Sequence, residues 1–223
     1  MKVIAINGSP RKNFNTAKML VMALEGAKSL GAETELIHLY DKPFKGCVSC
    51  FACKLKNSKT HGLCAYKDEL TPILEKCLEA DVVILGSPIY YSMPTGVSRA
   101  FFERFLFPIG SYHVNEDGSN RREIEKKIAM GLIYTMNCPE DKMERFQYPT
   151  VLAMQEQAAS KILGYAETLC ANNTYQFSNY DLYDFTLFTE EAKRKYRDEH
   201  FRIDLDNAFE LGKRLVEKAK TLN

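Results

Sequence analysis

The chain has 223 residues and a formal net charge of +1, and 45% of its residues are hydrophobic. This length suits one α/β domain, and we interpret 1–223 as a single domain because no shift in composition marks a boundary. The near-zero charge argues against nucleic acid as a partner, and no apolar run approaches the roughly 18 residues of a membrane span. Since no targeting segment is predicted, we expect a cytoplasmic protein whose cysteines stay reduced.

Apolar segments alternate along the chain with segments of helical periodicity. Five strands are predicted, at 2–7, 33–39, 81–86, 127–135 and 173–177. Five helices are predicted, at 15–30, 68–78, 95–107, 150–170 and 203–222. Asp68 is predicted to cap the second helix, 41–64 is a Cys-rich loop, and 108–125 is a polar, exposed insertion. The alternation predicts an α/β fold with a doubly wound, five-stranded parallel sheet and helices on both faces. We take the strand order as 2-1-3-4-5, a common order of such sheets.

The loop that joins the first strand to the first helix, 8–16, is rich in groups that bind anions. The side chains concerned are Ser9, Arg11, Lys12, Asn15 and Thr16. They supply hydroxyl, amide and cationic groups, and the N–H groups of the first helical turn point the same way, so a phosphate monoester would be well matched. The glycine spacing of a dinucleotide fingerprint and the Gly-Lys-Ser/Thr of a Walker loop are both missing. A capped surface turn would explain the same residues without a ligand.

A second loop, 86–95, follows the third strand and combines two prolines with two adjacent tyrosines. Flat heteroaromatic rings stack on such side chains, although tyrosines in a proline-rich turn also pack locally. In a sheet of order 2-1-3-4-5 the first and third strands are neighbours, and their helices leave on opposite faces. Ligands bind in the crevice outside the carboxyl ends of such strands. The two loops are therefore predicted to form one site.

At these loops the sequence resembles the NAD(P)H-dependent FMN reductase branch of the flavodoxin-like superfamily. The resemblance is carried by Gly8-Ser9-Pro10-Arg11 with Asn15-Thr16, and by Ser87-Pro88-Ile89-Tyr90. It implies a flavodoxin-like fold and bound FMN, with the phosphate held by the first loop. It further implies that the flavin ring is bordered by Pro88, Ile89, Tyr90, Tyr91, Ser92 and Met93. A third contact is expected from the turn after the fourth strand, where relatives often carry glycines and this chain has Thr135, Met136 and Asn137.

Four cysteines crowd into the loop after the second strand, at Cys47, Cys50, Cys53 and Cys64. Three thiolates spaced in this way can hold one face of a 4Fe-4S cluster, with a fourth from further along the chain. The loop resembles that of the iron–sulfur flavoproteins, in which the fourth cysteine follows after a shorter gap. A four-thiolate zinc site and a loop of free or redox-active thiols are the alternatives. Each would lie at the carboxyl edge of the sheet, near the flavin.

The resemblance implies an FMN-dependent oxidoreductase that takes electrons from NAD(P)H or a small carrier. The acceptor would be a quinone, a nitro or azo compound, a metal or an iron–sulfur centre. Donor and acceptor would be small molecules or proteins, and the chain would form a homodimer or homotetramer. No side chain is predicted as a catalytic acid, because the flavin carries the chemistry. The alternatives are a flavodoxin-type electron carrier, which is typically acidic, and a redox-sensing protein that uses the Cys-rich loop as a switch.

Three further predictions concern residues beside these loops. Glu103 and Arg104, on the third helix, are expected at the surface or at a dimer contact. Cys138 is expected to be packed and inert rather than reactive. The insertion at 108–125 and the tyrosine-rich segment 175–183 are expected to flank the flavin or a partner subunit.

Overall fold

The computed structural model describes residues 1–118 and 120–222. Its strands are β1 (Lys2–Asn7), β2 (Glu33–His38), β3 (Val82–Tyr90), β4 (Met93–Pro94), β5 (Gly110–Val114), β6 (Asn120–Arg122), β7 (Ile128–Thr135) and β8 (Gly164–Ala171). The central sheet has the order β2-β1-β3-β7-β8, and all its neighbours are parallel. Because β7 and β8 are its fourth and fifth strands, the predicted order 2-1-3-4-5 is confirmed. The short β4 pairs antiparallel with the end of β3, and β5 and β6 form a separate hairpin.

Helices cover both faces of this sheet. They are α1 (Asn15–Ser29), α2 (Thr71–Glu79), α3 (Gly96–Ile109), α4 (Tyr148–Leu163) and α5 (Glu190–Leu222). On one face α2, α3 and α4 enclose a core that includes the buried side chains of Phe101 and Leu152. On the other face α1 and α5 enclose a core with Leu20 and Leu215. Every residue of β7 is buried, as expected for a central parallel strand covered on both sides. Within the described chain, no helix is long and apolar enough to cross a membrane.

The predicted fifth strand at 173–177 is wrong, because the strand is β8 and 173–177 lies in the loop beyond it. The predicted helix 150–170 is correspondingly too long, since α4 ends at Leu163. Gly164 ends the helix with a φ of +110°, a conformation that residues with a Cβ rarely adopt. Ala166 and Leu169 continue the helical spacing by coincidence. In the strand they belong to the cores on opposite faces of the sheet.

Three other boundaries differ from the prediction. The last helix begins at Glu190 rather than at 203, because its first turns are charged and therefore show no apolar periodicity. Thr189 caps it, with Oγ1 accepting the N–H of Ala192 at 3.2 Å. Asp68 does not cap the second helix, which starts at Thr71 after Leu70. The segment 108–125 is not wholly exposed, since α3 continues through buried residues to Ile109 before the hairpin starts.

Candidate functional site

The loops after β1 and β3 are held against each other at the carboxyl edge of the sheet. The N–H of Gly8 donates to the carbonyl of Gly86 at 2.8 Å. Thr95 caps α3, and its Oγ1 donates to the carbonyl of Gly8 at 2.7 Å while its N–H donates to Ser87 Oγ at 3.0 Å. A Cβ at Gly8 would lie 1.8 Å from Ser98 Oγ, so a larger residue here would force the Ser98 hydroxyl out of its position. The sequence prediction that the two loops meet is therefore correct.

The start of α1 leaves backbone donors available at this edge. Phe14 occupies the N-cap position in an extended conformation, and its side chain has no acceptor for the N–H groups of the first turn. Ser9 is buried, and its Oγ accepts the N–H of Arg11 at 3.2 Å. The Arg11 guanidinium lies over the Phe14 ring, 4.0 Å from its centroid. An uncapped helix N-terminus beside a cation is a favourable place for an anion.

One pocket joins the three predicted loops, and we call it the phosphate pocket. It is lined by Ser9, Arg11, Phe14, Asn15, Thr16, Pro88, Ile89, Tyr90, Thr135, Met136, Asn137, Thr174 and Gln176. Ten of the fourteen side chains predicted to contact the flavin are among these residues. Segments that are far apart in the chain thus converge where β1, β3 and β7 end, as the topology predicts.

Two polar features of the phosphate pocket leave hydrogen-bonding capacity for a ligand. Thr16 Oγ1 and Thr135 Oγ1 are 2.7 Å apart, and whichever hydroxyl donates, the other keeps a proton that it can donate elsewhere. Asn137 Oδ1 is buried and has no hydrogen-bond partner within the described residues. A buried acceptor without a partner is unfavourable, and a bound ligand can supply the missing donor.

Four predicted contact residues do not line the phosphate pocket. Lys12 forms an ion pair with Asp41 at 2.6 Å. Tyr91, Ser92 and Met93 lie in the hairpin that connects β3 to β4, where Tyr91 and Ser92 have φ values of 47° and 66°. Positive φ at both central residues is the geometry of a type I′ turn, and it usually requires glycine or asparagine. The tyrosine pair is therefore split, with Tyr90 lining the pocket and Tyr91 fully exposed at the tip.

Thr174 and Gln176 also line the phosphate pocket, and the sequence prediction missed them because it placed 173–177 in a strand. The loop they belong to contacts two predicted phosphate ligands. Asn15 Nδ2 donates to the carbonyl of Tyr175 at 2.9 Å, and the Arg11 guanidinium donates through Nη1 to the carbonyl of Gln176 at 2.5 Å. The tyrosine-rich segment therefore lies against the phosphate pocket, and its expected place beside the flavin or a partner subunit stays a prediction.

A larger cavity of about 460 Å³, here called the lysine pocket, adjoins the phosphate pocket and shares Ile89, Met136 and Asn137 with it. Lys193 of α5 lines this cavity and is 3% exposed. Burial lowers the pKa of Lys193 to about 8, with the Cys138 thiol acting in the opposite direction, so the ammonium is mostly charged at neutral pH. Burial also raises the pKa of Cys138, which agrees with the expectation of an unreactive thiol.

The four cysteines of the loop after β2 all border one small cavity between this loop and α3. Cys47 and Cys50 are exposed, Cys53 is half-buried and Cys64 is buried. In the part of the chain that the structure describes, no three Cys, His, Asp or Glu side chains form a group able to hold a metal ion. The cysteines therefore share a cavity, but their sulfur atoms are not arranged as a closed ligand set.

Arg104 is buried beside these cysteines, so its predicted place at the surface is wrong. It is 2% exposed, and its guanidinium donates to the Asp68 carboxylate at 2.5 Å and to the carbonyls of Tyr66 at 2.7 Å and Lys45 at 3.0 Å. Nε lies 3.4 Å from Cys64 Sγ. Although burial opposes ionisation of Asp68, hydrogen bonds from Arg104 and two backbone N–H groups hold the pKa of this carboxyl below its usual value. Arg104 thus ties the Cys-rich loop and the segment that follows it, 65–70, to α3.

The sequence profile of the NADPH-dependent FMN reductase family matches residues 1–138, which include β1, β3, β7 and the loops that follow them. The chain belongs to this family. The matched region ends at Cys138, so Thr174, Gln176 and Lys193 lie outside it.

Among characterised relatives, an iron–sulfur flavoprotein from Archaeoglobus fulgidus is 43% identical over 115 residues, which are 51% of this chain and 54% of that protein. An iron–sulfur flavoprotein from Methanocaldococcus jannaschii is 44% identical over 104 residues, covering 47% of this chain and 51% of the relative. The match therefore spans about half the length of these relatives. Iron–sulfur flavoproteins are also the proteins whose cysteine pattern the Cys-rich loop resembles.

Solved structures with the same architecture include an NAD(P)H:quinone oxidoreductase from Methanothermobacter marburgensis, with a TM-score of 0.66, 16% identity and 96% of both chains covered. An azoreductase from Bacillus anthracis superposes with a TM-score of 0.64 at 12% identity, over 96% of this chain and 99% of that one. At such identities the likeness concerns the fold, and it confirms the predicted flavodoxin-like class.

Proposed function

We propose that the chain binds FMN across the loops after β1, β3 and β7 and works as a flavin-dependent oxidoreductase. The observation that carries the proposal is the phosphate pocket, in which an uncapped helix start, a cation and paired threonine hydroxyls converge. Ser9, Arg11, Asn15 and Thr16 would hold the phosphate, while Pro88, Ile89, Tyr90 and Asn137 would border the flavin ring. These groups fit FMN chemically, because a doubly charged phosphate needs several N–H and O–H donors and a positive charge.

In this proposal FMN supplies hydride and electron transfer, and the protein supplies binding and orientation. The Thr95 and Gly8 hydrogen bonds hold the two loops in a fixed relation. Pro88 stiffens the end of β3, and the loop with Thr174 and Gln176 forms one side of the pocket. The electron donor would be NADPH or NADH, and the acceptor a small oxidant such as a quinone, nitro or azo compound. We further propose that the chain acts as a homodimer or homotetramer in the cytoplasm.

Absorbance and turnover test this proposal together. Titration of the purified protein with FMN is expected to saturate at one flavin per chain, with bands near roughly 375 and 450 nm. The loaded protein is then expected to oxidise NADPH or NADH when menadione is present. Bound FMN without turnover of either nicotinamide would instead favour a flavodoxin-type carrier, although the net charge of +1 is unlike the acidic surface of such carriers. Protein that takes up no FMN would contradict the proposal.

A second proposal is that the Cys-rich loop holds a 4Fe-4S cluster that exchanges electrons with the flavin. The observation in favour is that Cys47, Cys50, Cys53 and Cys64 border one cavity, since four thiolates are the usual ligands of such a cluster. Cluster assembly would have to draw the exposed sulfur atoms together, because they do not form a closed set.

Metal analysis after anaerobic reconstitution tests this second proposal. We expect iron and sulfide in equal amounts and a broad shoulder near roughly 400–420 nm. A Cys50→Ser/Cys53→Ser variant should lose both, whereas Cys170→Ala, which alters a cysteine outside the loop, should keep them. Zinc in place of iron would support the four-thiolate zinc site. If the reconstituted protein holds neither metal, the loop carries free thiols.

A further inference from the structure

Lys193 is a buried cation without an opposite charge beside it. Its Nζ donates to Asn173 Oδ1 at 2.5 Å and to the carbonyl of Asn137 at 3.2 Å, and it lies 4.9 Å from the centre of the Phe188 ring. Among the described residues, no carboxylate lies within ion-pair distance of it. A buried lysine normally has a carboxylate partner, because an uncompensated charge in the interior is strongly unfavourable. Lys193 therefore carries a positive charge in the interior that is offset by neutral acceptors and an aromatic ring.

The lysine pocket is the place where this charge can act. The phosphate pocket has only about 70 Å³, enough for a few water molecules. The lysine pocket, with about 460 Å³, lies within the range of ligand-binding pockets and shares Asn137 with its neighbour. A flavin whose phosphate lies at α1 would extend its ring past the shared residues Ile89 and Asn137 toward this larger space. The charged residues that line this space, within the described chain, are all cations: Lys142, Arg145 and Lys193.

We propose that Lys193 compensates the negative charge that the flavin ring acquires on reduction, and thereby raises the two-electron reduction potential of the flavin. The inference rests on the proposed binding of FMN and adds a residue outside the family match, which ends at residue 138. In this role Lys193 stabilises negative charge on the flavin ring and does not transfer a proton.

The electron balance explains why a cation matters. A hydride from a reduced nicotinamide carries two electrons and one proton, so a neutral flavin ring that accepts it gains one net negative charge. Lys193 stays protonated during this transfer, and its ammonium lowers the free energy of the product more than that of the neutral reactant. Because the site is partly buried, the attraction is less screened than it would be in water. Bound FMN would supply this two-electron chemistry, and a quinone acceptor would take the two electrons and the proton from the ring and a second proton from solvent.

The test compares charge-removing and charge-keeping variants of the FMN-loaded protein. In Lys193→Gln, which keeps a hydrogen-bond donor, and in Lys193→Met, we expect a lower midpoint potential by dye equilibration. We also expect binding of sulfite, which adds an anion to the oxidised ring, to weaken about tenfold or more, the factor that corresponds to about 1.4 kcal/mol. Lys193→Arg should remain close to the wild type in both measurements. Lys195→Met, an exposed lysine of the same helix, is the matched control.

The outcomes separate the two proposals. If the wild type takes up no FMN, the proposed function fails and the inference fails with it. If FMN binds and both neutral variants keep the wild-type potential and sulfite affinity, only the role of Lys193 is overturned. The same conclusion follows if Lys193→Arg changes as much as Lys193→Gln, since the residue would then act through packing. If Lys193→Met does not fold, the comparison of Lys193→Gln with Lys193→Arg still shows whether the charge at this position affects the potential and the sulfite affinity.

Discussion

The Arg11→Ala/Thr16→Ala variant is expected to bind FMN about 100-fold more weakly than the wild type while keeping its fold. Arg11 supplies the positive charge in the phosphate pocket, and Thr16 supplies one of its two coupled hydroxyls. A hydrogen bond to a charged group is worth about 1.5–3 kcal/mol and a neutral one about 1 kcal/mol, so the pair should contribute about 3 kcal/mol to binding. Quenching of FMN fluorescence during titration of the FMN-free protein measures the dissociation constant.

The control for this variant is Lys12→Ala. Lys12 is the neighbouring cation in the same loop, but it pairs with Asp41 and does not line the pocket. Lys12→Ala should weaken FMN binding less than Arg11→Ala/Thr16→Ala does, because solvent screens the exposed charge of Lys12. Equal loss in both variants would mean that the loop acts only through its overall charge. Unchanged affinity in the double variant would show that the phosphate is bound elsewhere.

Among the residues that form or contact the Cys-rich loop, Arg104 should be the one whose single substitution, Arg104→Met, is most destabilising. It leaves the Asp68 carboxylate, which is 16% exposed, without its charged partner, and it removes the donors to the carbonyls of Lys45 and Tyr66. Loss of one member of a buried ion pair typically reduces the free energy of unfolding by about 3–5 kcal/mol. Urea denaturation of the protein without metal measures the change.

The matched control is Arg99→Met on the same helix. Arg99 pairs with Glu103 at 3.0 Å, but both side chains are well exposed, so its removal should change the free energy of unfolding by less than about 1 kcal/mol. Adding Asp68→Leu to Arg104→Met should recover part of the loss, because it removes the unpaired carboxylate. If the Arg99 and Arg104 variants have similar free energies of unfolding, the structural role proposed for Arg104 is wrong.

Several features of the site follow from the sequence alone, because each depends on residues that are close together in the chain. Apolar runs such as 82–85 are long enough to specify central strands, and the strand–helix alternation predicts a doubly wound sheet, whose order 2-1-3-4-5 is that of the family the loops resemble. That order brings the loop with Ser9 and Thr16 next to the loop with Pro88 and Ile89. The family match over residues 1–138 agrees with this part of the prediction.

The features that the sequence did not predict depend on contacts between distant segments or on backbone conformation. Arg104 has the same local pattern as an exposed helical arginine, and it is buried by contacts with residues distant in the chain, such as Tyr66 and Asp68. Lys193 lies in a charged helical segment, and it is buried because the loops at 137 and 173 supply acceptors for it. Tyr91 leaves the pocket because a type I′ turn turns the chain back at that point.

By itself, the sequence determined the doubly wound sheet, the positions of the loops after its first and third strands and the family, since local apolar patterns and short motifs encode these directly. Only the tertiary structure decided that strand β8 replaces the predicted end of a helix, that the four cysteines border one cavity, and that a lysine from the last helix lies beside the loop after β7. The physical reason is that burial and charge pairing are properties of the packed chain. Residues with the same local sequence pattern can be exposed or buried according to what the rest of the chain places next to them.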